Sequence, residues 1–105
     1  MDKTAVIGRE EALDLVRQYK HVIAKHFAGM PEVLLFGSYS KGTANKDSDI
    51  DVAVIVPSYG YRKLELSKAL WHDVGDESLL IEPVLISKDH PSPLYDDVMR
   101  TGIAV

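Results

Sequence analysis

The chain has 105 residues, no cysteine and a formal net charge of −4. That length suits one hydrophobic core, since domains typically hold roughly 100–150 residues, and the missing cysteine excludes a disulfide scaffold, a thiolate zinc site and a cysteine nucleophile. The acidic balance argues against general nucleic-acid binding, which draws on a basic surplus, and the apolar runs around Val33–Phe36 and Val52–Val56 are too short to cross a membrane.

The opening MDKTAVIGREE lacks the apolar stretch and small-residue cleavage site of a signal peptide. Together with the absent cysteines it sets the expectation of a reducing cytoplasm. Arg9 to Phe27 reads as an amphipathic helix, with Leu13, Val16, Ile23 and Phe27 recurring at helical spacing. Glu10 and Glu11 suit the positive end of its dipole and Lys25 and His26 the negative end, and Ala28-Gly29-Met30-Pro31 stops it. Glu32 to Phe36 reads as a short buried strand. Gly37 to Ser48 is a polar loop with room for one helical turn. Asp49 to Val56 has the β-branched content of a strand, which Pro57 ends. Tyr61 to Val74 is helix-like, with Leu64, Ala69, Leu70 and Val74 expected inward. Leu79 to Ile86 is a third strand, Leu94 to Arg100 a closing helix, and Ile103 to Val105 an edge strand. The order α-β-β-α-β-α predicts an α+β fold, a small mixed β-sheet with helices packed against it. With no repeat or linker in view, residues 1–105 read as a single domain.

The chemistry concentrates in LLFGSYSKGTANKDSDIDVAVIV, from Leu34 to Val56. One strand ends in Gly37-Ser38, and a polar loop leads to Asp49-Ile50-Asp51 at the start of the next. Side chains alternate along a strand, so Asp49 and Asp51 project from the same face. Two adjacent carboxylates repel and raise at least one pKa, a cost that a divalent cation removes. Paired oxygen donors are the type Mg²⁺ prefers, completed by water and substrate phosphates. Gly37 has no Cβ to keep a ligand away from its backbone. Ser38 offers a hydroxyl and a backbone N–H to a phosphate oxygen, and Lys41 and Lys46 add positive charge in the same loop. A lone Gly-Ser pair is usually a turn and a lone Asp-x-Asp usually a solvated edge. Here ten residues separate Ser38 from Asp49, and both halves sit at apolar strand ends.

This pattern, Gly37, Ser38, then Asp49 and Asp51, resembles the nucleotidyltransferase superfamily that includes DNA polymerase beta. The stretch FGSYSKGTANKDSDIDVAVIV is similar to its minimal nucleotidyltransferase group of small prokaryotic proteins, over most of the chain. The resemblance implies a polymerase-beta-like fold and a third carboxylate on the strand beside the Asp-x-Asp strand. Glu82, inside Leu80-Ile81-Glu82-Pro83-Val84-Leu85-Ile86, is the candidate. An acidic residue in an apolar strand is costly unless paired or metal-bound, so a metal role is weighed against a rim salt bridge. Many relatives carry Asp there, and Pro83 points to an edge strand, because it cannot donate to a central ladder.

The function so implied is Mg²⁺-dependent transfer of a nucleoside monophosphate, AMP from ATP, to a hydroxyl. Asp49, Asp51 and Glu82 are then the catalytic and metal-binding residues, and Gly37, Ser38 and Lys41 bind the nucleotide. By resemblance the acceptor lies on a HEPN-type toxin that this chain opposes as antitoxin, with a homo-oligomer as the other source of an acceptor surface. The competing reading is a non-catalytic module that neutralises a toxin by contact. His21, His26, His72 and His90 have no partners at metal-ligand spacing and are expected to be bystanders, the first two at the surface. Trp71 is expected to pack inward, and Tyr59-Gly60-Tyr61 to form a turn with two half-buried tyrosines.

Overall fold

The computed structural model describes residues 7–45, 48–74, 80–90 and 92–105. Helix α1 (Arg9–Ile23) leads through a 3₁₀ turn (Ala24–His26) to strand β1 (Glu32–Phe36). The short helix α2 (Ser38–Lys41) precedes β2 (Ile50–Val56). A second 3₁₀ turn (Gly60–Arg62) runs into α3 (Lys63–His72). Strand β3 (Ile81–Ser87), α4 (Pro93–Thr101) and β4 (Ile103–Ala104) complete the described chain. The sheet order is β3-β2-β1-β4, with β2 parallel to β3 and the other two pairs antiparallel. The architecture is therefore α+β with a four-stranded mixed sheet, as the order of elements predicted.

Both faces of the sheet are covered, and alternation along the strands decides which helix covers which. Val33, Leu35, Ile50, Val52, Val54 and Ile81 turn to one face, where they pack with Ala12, Val16 and Ile23 of α1 and Leu70 of α3. Leu34, Phe36, Ala53, Ile55 and Ile86 turn to the other, against Val98 of α4. Burial on both sides explains why β1 and β2 read as continuous apolar runs. Pro83 lies in β3, an edge strand, opposite Val52. The ladder thereby loses no second partner.

Several local expectations need correction. The first helix leaves α geometry at Ile23, and Phe27 is extended at φ −126, ψ 157. The 3₁₀ turn satisfies the last carbonyls by tightening, with Phe27 N–H donating to Ala24 at 3.0 Å. In α3, Leu66 and Leu70 face inward, as does Val74 just beyond its end, while Leu64 is 67% exposed. The inward stripe therefore starts at Leu66. Trp71 is 53% exposed and Tyr61 wholly so, so neither is a packing residue here. Tyr59 is half-buried, its ring 6.2 Å from that of His90 and 5.6 Å from Lys63 Nζ. His26 is no surface bystander, since it meets the buried Asp73 carboxylate at 2.7 Å. Lys46 and the expected strand start at Leu79 lie outside the described residues.

Candidate active site

Three strand ends meet at one edge of the sheet. In the ladder Phe36 pairs with Asp51, and Asp51 pairs with Glu82. Gly37 therefore follows β1 where the acidic residues precede or open β2 and β3. Asp51 and Glu82 share the parity of Ala53, Ile55 and Ile86, which places them on the α4 face of the sheet. Asp49 precedes β2 by one residue and lies on the same side.

The electrostatics show how closely these groups are gathered. Burial first, and the neighbouring Asp49 charge second, hold the Asp51 carboxyl above its ordinary range. Glu82 is raised chiefly by a hydrogen bond with the Asp49 carboxyl, then by desolvation and by the charges of Asp49 and Asp51. Glu82 makes no ion pair with a described basic residue; its neighbours are the two aspartates. Among the described residues, no three His, Asp or Glu side chains form a ready-made metal cage. The donor set still fits a hard divalent cation. All its donors are oxygens, their repulsion is what a cation relieves, and Mg²⁺ usually takes one or two carboxylates together with water and phosphate oxygens.

Gly37 is shaped by Asp51. Its backbone lies at φ 73, ψ −148, a region that glycine alone enters readily. A Cβ on Gly37 would overlap the Asp51 carboxylate. The glycine thus lets the turn close directly onto the acidic cluster. Ser38 opens α2, Tyr39 anchors that helix in the core, and Gly42 closes it in the left-handed conformation at φ 76. Lys41 Nζ lies 3.5 Å from an Asp97 carboxylate oxygen on α4, both side chains partly exposed. Such a pair is weak enough to exchange for another anion. Sequence reasoning passed over Asp97 and also Arg9, which donates to the backbone of α2. Neither carries a local signal, because each contact joins segments 30 or more residues apart.

A cavity of about 480 Å³ opens at the opposite end of the sheet, between Phe27, Met30 and Pro31 on one side and Tyr59, Arg62 and Leu66 on the other. It contains none of the acidic cluster. The chemistry is marked by converging charge rather than by this cavity, so we locate the candidate site at the Gly37–Asp51–Glu82 edge.

The nucleotidyltransferase domain profile matches residues 16–99, and the chain belongs to that family, with its polymerase-beta-like fold. A Methanocaldococcus jannaschii protein named "putative protein adenylyltransferase" is 25% identical over 99 residues, covering 90% of this chain and 99% of its own length. A "putative nucleotidyltransferase" from Sulfolobus solfataricus superposes with a TM-score of 0.67 at 15% identity, covering 91% of this chain and 80% of that one. A "toxin-antitoxin with AMP-PNP" crystal structure superposes at 0.50 with 24% identity, covering 93% of this chain and 72% of that one. Among the described residues no helix is long and apolar enough to cross a membrane.

Proposed function

We propose that this chain is a Mg²⁺-dependent protein adenylyltransferase that moves AMP from ATP onto a hydroxyl of a partner protein, as the antitoxin of a HEPN-type toxin in the cytoplasm. The observation that carries the reading is the meeting of Asp49, Asp51 and Glu82 with the Gly37–Ser38 turn at three adjacent strand ends. The adenylyl group and the protein acceptor are supported by the name of the Methanocaldococcus relative. The chain acts as one domain and takes its acceptor surface from the partner.

Asp49, Asp51 and Glu82 would hold the cation. When bound, it supplies Lewis-acid neutralisation of the triphosphate and of the charge that grows in an in-line displacement. Ser38 donates its hydroxyl and backbone N–H to phosphate oxygens, and Gly37 keeps that approach free of side chain. Lys41 exchanges Asp97 for the phosphates. Glu82 accepts the proton of the attacking hydroxyl. The hydroxyl oxygen bonds to the α-phosphorus, the bond to the bridging oxygen breaks, and pyrophosphate leaves.

The test is transfer of label from α-labelled ATP to protein, with Mg²⁺, purified chain and host lysate. A discrete labelled band that disappears in the Asp49→Asn, Asp51→Asn double variant is expected. If that variant labels like the wild type, the acidic site is not the catalyst. If no label moves while the chain still neutralises its partner, contact alone is the function.

A further inference from the structure

The turn that carries Ser38 and Lys41 is four residues long. A helix this short does not hold itself, because nucleation fixes several dihedrals for each hydrogen bond gained. Its own bonds run from Lys41 N–H to Gly37 at 3.1 Å, from Gly42 N–H and Thr43 N–H to Ser38, the latter at 3.0 Å, and from Ser40 Oγ to Gly37 at 3.0 Å. The carbonyls of Tyr39 and Ser40, at its C-terminal end, are both taken by one distant side chain. Arg9, the first residue of α1, donates from Nε to Tyr39 at 3.1 Å and from Nη2 to Ser40 at 3.0 Å. The fork of a guanidinium is rigid, so two such bonds fix orientation as well as position. Arg9 makes no ion pair with a described carboxylate, which leaves these carbonyls as its partners. Its Nη2 also passes under the end of the turn, 3.7 Å from where a Cβ on Gly42 would stand.

We infer that Arg9 is a positioning residue for the nucleotide-gripping turn. The turn is pinned at its start, where Gly37 abuts Asp51, and in the middle by buried Tyr39. Arg9 pins its end to the start of α1, so the turn that carries Ser38, next to Gly37, is fixed in place before a nucleotide arrives. Without Arg9, ordering the turn becomes a cost of binding. The loss then falls on nucleotide affinity more than on the chemical step. This inference rests on the role proposed above for Gly37 and Ser38.

The test compares Arg9→Ala, Arg9→Gln and Arg9→Lys with the wild type in two measurements: amide hydrogen exchange and the dissociation constant of AMP-PNP with Mg²⁺. Exchange at the Lys41 and Thr43 amides is expected to quicken in the Ala and Gln variants, while the Val52 and Val54 amides of the central strand keep their protection and report an intact fold. AMP-PNP affinity is expected to fall about tenfold, with part of it recovered in Arg9→Lys, whose ammonium can reach one of the two carbonyls. Unchanged exchange at Lys41 and Thr43 overturns the inference, and so does faster exchange without loss of affinity. A wild type that does not bind AMP-PNP overturns instead the nucleotide reading, while the exchange measurement still decides whether Arg9 fastens the turn.

Discussion

At Gly37 two demands coincide, a left-handed backbone and the Asp51 carboxylate where a Cβ would stand. Gly37→Ala must therefore shift either the turn or Asp51. Transfer activity, followed with α-labelled ATP, is expected to fall roughly a hundredfold, the scale of an ångström-sized misplacement at a reacting centre. Asp51 itself costs the fold something. Its folded pKa is raised above the unfolded value, so the folded state binds the proton more tightly. Stability from this group is thus greatest below the ordinary carboxylate range and falls as pH rises through the raised pKa. Asp51→Asn is expected to abolish transfer while raising the melting temperature of the metal-free protein at neutral pH. The rise should shrink as pH is lowered through the carboxylate range; a melting curve lower than wild type at every pH would show that Asp51 is a structural support. Asp49 and Asp51 were legible because alternation along a strand is a local rule. The hydrogen bond between Asp49 and Glu82, from a strand some thirty residues on, has no local signature.

Among the elements, β3 shows how a single residue type carries tertiary information. Pro83 cannot donate to a second neighbour, and β3 does stand at the edge. The helices were less legible. Leu64 and Trp71 have the right chemistry for a core but point outward, because the α3 stripe that meets the sheet is set by Leu66 and Leu70. The tie between α1 and α3 is polar and was invisible in the pattern: Tyr19 Oη donates to the Leu70 carbonyl at 2.6 Å. Burial, with a smaller contribution from the Asp73 charge, keeps that phenol protonated far above its usual range. Tyr19→Phe is expected to cost about 1 kcal/mol, read as a fall of several degrees in melting temperature. No change would mean that water replaces the phenol.

For the molecule as a whole, the cation site proposed at the acidic edge predicts a stability that depends on Mg²⁺. Millimolar Mg²⁺ at neutral pH is expected to raise the melting temperature of the wild type, because a ligand that binds only the folded state stabilises it. The Asp49→Asn, Asp51→Asn variant should not respond, and an equal rise in both proteins would place the cation elsewhere. The sequence by itself determined the order of elements, the burial of the first strand, and the two aspartates sharing a side. Each of these follows from periodicity and chain geometry within a few residues. Only the tertiary structure decided that Asp51 stands between Gly37 and Glu82, that α4 brings Asp97 to Lys41, and that Arg9 fastens the turn beside them. Those contacts come from strand register and helix docking, where the free energy of packing the whole core, and no local preference, selects the partners.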